Sequence, residues 1–145
     1  MKKQKIIFTD GGCKGNHTKD ISKRRMITCV VDDQLKNYSQ IRVGTKKGGS
    51  NNIAELLAVW EGMCHAFNRD YKNLLIKVDS QVVYHWIKKD KVSGKINDPE
   101  FTRMILKKIK GLEKWFDKFE IQVVPRSLNK AGVILDKKTK NQDFI

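Results

Sequence analysis

The chain has few of the residues that staple, break or anchor a fold. It holds three cysteines in 145 residues, Cys13, Cys29 and Cys64, and no C-x-x-C pair. An odd count without paired spacing gives neither a disulfide framework nor a zinc signature. It has two prolines, and no linker-like stretch, internal repeat or low-complexity block divides it. Residues 1–145 are therefore expected to form one domain. No apolar run is long enough to cross a bilayer, and Met1-Lys2-Lys3 leads straight into a strand-like segment instead of a signal-peptide core. The expectation is a soluble, cytoplasmic protein with no membrane association. A phosphate-binding loop is also missing, because Lys46-Lys47-Gly48-Gly49-Ser50 lacks the first glycine at the needed spacing.

Negative charge is the scarcest commodity. Sixteen acidic residues face 30 basic ones, for a formal net charge of +14. A basic surface gains affinity for polyanions by displacing counterions from phosphates, so the charge points to a polyanionic partner, with nucleic acid and an anionic membrane surface both open on charge alone. A solubilising surface accounts for the same charge. The hydrophobic fraction of 39% is sufficient for a core and excludes disorder driven by low hydrophobicity.

Apolar periodicity divides the chain into elements. Lys5–Asp10 (KIIFTD) reads as a buried strand ending at a Gly11-Gly12 turn, which places Cys13 at an exposed position. Arg24–Val31 and Tyr38–Thr45 read as two more strands, close enough in sequence for an antiparallel meander. From Asn51 the pattern turns helical, with Ile53, Leu56, Leu57, Trp60, Cys64 and Phe67 forming a stripe. Leu74–Val78 is a fourth strand that stops at Asp79, and Ser80–Lys89 a short helix. Pro99 suits the first turn of a longer, basic helix. Phe119–Val124 is a fifth strand, followed by a loop and a helical segment around Ala131–Lys140. Early meander and later alternation predict an α/β fold with a five-stranded mixed sheet flanked by helices. Trp60, Trp86 and Trp115 follow apolar helix faces and are expected in the core, as are Cys29 and Cys64. His17, His65 and His85 show no metal-ligand spacing and are expected to be surface or packing residues.

Three carboxylates stand at element boundaries. Asp10 closes the first strand, Glu55 lies in the first turns of the first helix, and Asp79 closes the fourth strand. A parallel pairing of strands one and four brings Asp10 and Asp79 to the same sheet edge, where ligands of such sheets bind. Clustered carboxylates repel unless a hard divalent cation relieves them, and oxygen ligands suit magnesium or manganese. Two such ions can activate a water and stabilise the leaving oxygen of a phosphodiester. Each residue also has an ordinary alternative. Asp10 can form an Asx turn, Glu55 a capping box with Asn52, and Asp79 a helix cap.

These residues lie in motifs that resemble type 1 ribonuclease H. The motifs are Phe8-Thr9-Asp10-Gly11-Gly12-Cys13 with Gly15-Asn16, then Asn51-Asn52-Ile53-Ala54-Glu55, then Val78-Asp79-Ser80-Gln81, and finally Val124-Pro125-Arg126 with Asn129. Together they span nearly the whole chain, in the family's order. The resemblance implies the ribonuclease H-like fold and metal-dependent hydrolysis of the RNA strand of an RNA–DNA hybrid by a monomer. It implies metal ligation by Asp10, Glu55 and Asp79, with Mg2+ or Mn2+ as cofactor. It further implies substrate contacts around Cys13, Asn16, Asn51, Asn52 and Gln81. Amide and backbone groups can bond ribose 2′-hydroxyls, which is how a site tells RNA from DNA. No separate hybrid-binding domain is expected.

The chain departs from the family pattern in its last third. The family's fourth carboxylate falls four residues after an asparagine; counted from Asn129, that position is Val133. Asp136, one helical turn further on, is the expected substitute as a catalytic and metal-binding residue. The loop before that helix holds no histidine, and Arg126 there is the candidate phosphate contact. Two other readings keep the fold: a binding module with impaired catalysis, and a nuclease of the same superfamily with another substrate, such as an exonuclease or junction resolvase.

Overall fold

A computed structural model describes residues 3–14, 25–33, 39–47, 50–94, 96 and 98–141, with 14, 39–47 and 138–141 described by backbone alone. Five strands form one sheet in the order β3-β2-β1-β4-β5, where β1 is Lys5–Lys14, β2 Arg25–Asp32, β3 Ser39–Lys47, β4 Asn73–Val78 and β5 Lys118–Val123. The β1, β2 and β3 strands pair antiparallel, while β4 runs parallel to both β1 and β5. The mixed sheet with an early meander is the one expected, and the structure adds two parallel pairs to it. The helices are α1 (Asn51–Asn68), α2 (Gln81–Lys89), α3 (Pro99–Glu113) and α4 (Lys130–Asn141), and a short 3-10 turn covers Arg126–Leu128.

The period of two along each strand distributes the helices over both faces. Ile7 of β1, Val30 of β2 and Leu74 and Ile76 of β4 point to one side, where they pack with Leu56, Val59 and Met63 of α1 and with Ile105 and Ile109 of α3. Phe8 of β1 and Ile27, Cys29 and Val31 of β2 point to the other, against Ala131 and Leu135 of α4. Two-sided burial explains why β1 and β2 read as almost unbroken apolar runs. Truncating Leu56 to alanine inside the larger cluster would cost about 2–5 kcal/mol.

Several local expectations change on folding. β1 does not stop at Asp10 but runs through Gly11 and Gly12 to Lys14, paired with β2 all along. Cys13 is consequently buried, beside Met26, Ile53 and Ala54, and not exposed. Trp115 is 68% exposed, because α3 ends at Glu113 and the ring lies beyond the buried stripe, edge-on to Phe67, which is also exposed. Trp86 is buried as expected, its indole N–H donating to the Ser93 carbonyl at 3.2 Å. Among the described residues no helix is long and apolar enough to cross a membrane.

Candidate active site

The parallel ladder between β1 and β4 aligns Phe8 with Lys77. Continued by two residues, that register sets Asp10 opposite Asp79. β1 carries on beyond this point with β2 as its partner, whereas β4 ends at Val78. Asp79 thus sits on the first residue after its strand, beside an aspartate held within a strand.

Glu55 arrives from above on α1, and Gly11 is what lets the helix come so close. A Cβ at Gly11 would lie 2.2 Å from the Ala54 carbonyl carbon and 2.5 Å from the Glu55 nitrogen, distances no side chain permits. The second anchor is Asn51, whose Oδ1 accepts the Cys13 backbone N–H at 2.7 Å. One end of α1 is thereby pinned along the β1 extension that carries Asp10.

The ordinary roles open to the three acids fall to other residues. Ser50 caps α1, its Oγ accepting the Ile53 N–H at 3.3 Å, so Asn52 is not the cap and Glu55 stands two residues past the capping-box position. Ser80 caps α2 by accepting from the Val83 N–H at 3.2 Å, which leaves Asp79 outside the cap. Asp10 lies in a strand and forms no turn. One ligand atom from each of Asp10, Glu55 and Asp79 lies within 4.8 Å of the others.

This cluster is poorly supplied with hydrogen-bond donors. The Asp10 side chain is 1% exposed, yet neither of its oxygens accepts a well-formed hydrogen bond, and Glu55 Oε2 is likewise buried without one. Burial, followed by the charge of Asp79, pushes the Asp10 carboxyl up to about 7 against the pull of Arg126. Burial and then the charge of Asp10 push Glu55 up to about 8, although the Ser80 hydroxyl opposes that shift. Burial and Asp10 also raise the Cys29 thiol, to about 12, which leaves it a neutral core group. Orphaned, crowded carboxylate oxygens are a donor set suited to a hard divalent cation, so these residues fit magnesium or manganese.

The cation that is present is Arg126. Its Nη1 lies 2.6 Å from Asp10 Oδ2 and 2.9 Å from Asp79 Oδ2. Its Nη2 and Nε donate to the two oxygens of Asp136, at 2.6 and 3.3 Å. Burial disfavours the guanidinium charge, but Asp136, Asp10 and Asp79 outweigh it and hold the group above its usual range. Asp136 is 51% exposed on α4 and meets Arg126, and it is not among the three converging acids. Val133 is exposed and offers no carboxylate.

Asn129 was visible in the sequence only as part of a motif, yet it ties the site together. Fully buried, it donates from Nδ2 to the Thr9 carbonyl at 3.0 Å and to Asp79 Oδ2 at 2.8 Å. Its Oδ1 accepts the N–H groups of Ala131 and Gly132 and so caps α4. An asparagine directly before an apolar helix was the available signal. Among the expected substrate contacts, Asn51 and Gln81 are exposed and Asn52 is half-buried, each on the opening residues of α1 or α2. Cys13 offers its backbone, already bonded to Asn51, and Asn16 lies outside the described residues.

Sheet order, flanking helices and acid placement together define a ribonuclease H-like protein. The sequence matches the family described as reverse transcriptase-like over residues 8–138, and the chain belongs to that family, within the ribonuclease H-like superfamily. The fold is similar to RNase H1 from the halophilic archaeon Halobacterium salinarum, with a TM-score of 0.71 at 20% identity, covering 97% of this chain and 100% of that one. It is also similar to the N-terminal RNase H domain of a Mycobacterium tuberculosis protein, with a TM-score of 0.69 at 18% identity over 92% and 95% of the two chains. A third similar structure is LC11-RNase H1, isolated from compost and solved with an RNA/DNA hybrid, with a TM-score of 0.61 at 16% identity over 87% and 88%. No curated protein sequence gives a significant match.

Proposed function

We propose that this chain is a ribonuclease H, hydrolysing the RNA strand of RNA–DNA hybrids with magnesium or manganese held by Asp10, Glu55 and Asp79. The observation that carries the reading is the cluster itself: three acids from β1, α1 and the end of β4, with ligand atoms within 4.8 Å and buried oxygens that lack donors. A bound divalent ion would supply water activation and charge neutralisation at the scissile phosphate. The chain's own residues do the rest. Asn51, Asn52 and Gln81, on the opening residues of α1 and α2, carry amides able to meet ribose hydroxyls, and Asn129 holds Asp79 in place. The excess of basic residues draws the hybrid to the protein. The working protein is a cytoplasmic monomer in this proposal.

The test is a gel assay on a hybrid labelled on the RNA strand, with Mg2+, Mn2+ or EDTA, beside Asp10→Asn. Metal-dependent cuts that disappear in the variant support the proposal. Intact RNA at every metal concentration refutes it. One observation favours a second reading, a hybrid-binding module with weak catalysis: α4 offers Val133 and the arginine-bound Asp136, where the family pattern has a fourth free acid. A mobility shift of uncut hybrid, independent of metal, would select that reading.

A further inference from the structure

Among the described residues, Arg126 has both a cation's position in the site and a seat of its own. Its guanidinium bridges Asp10 and Asp79 on one side and pairs with both oxygens of Asp136 on the other. It lies against Gly132 of α4, where an added Cβ would stand 3.0 Å from Nη1 and 3.1 Å from Cζ and Nε. A glycine in a helix costs about 1 kcal/mol relative to alanine, so its position beneath the guanidinium is informative. Without it, the flat group is displaced by a few tenths of an ångström.

We propose that Arg126 is a resident counter-cation that exchanges with the divalent ion. In the metal-free chain it neutralises Asp10 and Asp79. When an ion binds between them, the guanidinium leaves its seat on Gly132 and remains tied to Asp136. This rests on the reading of the acidic cluster as a cation site. Asp136 then has a defined task as the outer anchor of a movable arginine, in place of a fourth metal ligand. Metal affinity is set by the exchange, since a ligand must pay for the fraction of molecules whose site is already filled.

The geometry explains why a like charge can be tolerated so near a cation site. A single nitrogen, Nη1, makes both inward contacts, while Nε and Nη2 hold the outward ones. Rotation about the side chain therefore breaks the inner pair and can spare the outer one. The displaced group stays close to the rim, charged and supplied with donors, where a substrate phosphate can meet it.

The experiment uses the whole chain, with every protein measured at the same pH. Mg2+ binding is measured by calorimetry for the wild type, Arg126→Gln and Gly132→Ala, with carbon-detected NMR of the arginine Cζ followed in the same titration. The expected result is roughly tenfold tighter binding in Arg126→Gln. Gly132→Ala, which keeps the charge and favours the helix, tightens binding by a smaller factor. In the wild type the Arg126 Cζ signal moves in step with saturation. Equal or weaker binding in Arg126→Gln, or wild-type saturation with an unmoved Cζ, overturns the exchange. Absence of binding in all three proteins removes the cation site itself, and the exchange with it.

Discussion

Two buried aspartates on neighbouring strands have opposite surroundings. Asp32 ends β2, and its Oδ2 is 2.7 Å from the Tyr71 hydroxyl and 2.8 Å from His65 Nε2. Asp10, in β1, faces two more carboxylates and one shared arginine nitrogen, without a well-formed hydrogen bond. Both acids are almost fully buried. Donors stabilise the first where it stands, so it serves as a tie between β2, α1 and the chain entering β4. The second is destabilised by its neighbours, and a proton or a cation resolves the conflict. Burial of an acid therefore says little about function until its donors are counted.

Substitution at the two positions should give opposite results. Asp10→Asn is expected to lower hybrid cleavage by at least about 10²–10³-fold, since it removes an electrostatic element of the reaction centre. Above about pH 8 the same change should raise the melting temperature of the metal-free protein, because the neutral amide ends the repulsion with Asp79 and Glu55. Asp32→Ala should do the reverse: lose about 1–3 kcal/mol of stability by stranding its donors, and retain the activity of each folded molecule. Thermal denaturation and the hybrid assay on the two variants, side by side, check both halves.

Acidity should separate metal-free from metal-bound protein. The folded values of Asp10 and Glu55, about 7 and 8, lie above their ordinary 3.8 and 4.5. For raised carboxyls the stabilising contribution is complete below the ordinary values and is lost as pH rises through the folded ones. In EDTA the melting temperature should therefore fall between about pH 5 and pH 9, and Mg2+ should restore it at the upper end. A flat profile in EDTA would contradict the shifts. Asn129→Ala should cost about 1 kcal/mol through the lost α4 cap, with a drop in activity from the loosened Asp79. The smallest effect is expected at Trp115, where an alanine should change stability by no more than about 0.5 kcal/mol despite the size of the ring.

Two of the acids were legible because each stands at a change of period, and Asp10 because it precedes Gly11-Gly12, although it lies inside β1. Asp79 follows an apolar strand, and Glu55 sits just inside a helical stripe. The five-stranded mixed sheet flanked by helices follows from the same patterns. Less legible was the purpose of small residues. Gly11 and Gly12 have the composition of a turn, but they continue β1, and Gly11 gives α1 room to approach. Cap assignments slipped for a related reason: Asn52 and Asp79 are as suited to capping as Ser50 and Ser80, and only backbone geometry decides between them. The place of Arg126 could not be read at all. Its partners come from β1, the end of β4 and α4, and no local pattern records a charge shared among three elements.

The most direct measurement is calorimetric titration of Mn2+ into the wild type, Glu55→Gln and Asp32→Asn. Binding that persists in Asp32→Asn and is lost or weakened by roughly tenfold or more in Glu55→Gln is the predicted result, and would assign the cation to the donor-poor cluster. Unchanged binding in Glu55→Gln, or loss confined to Asp32→Asn, would contradict the account.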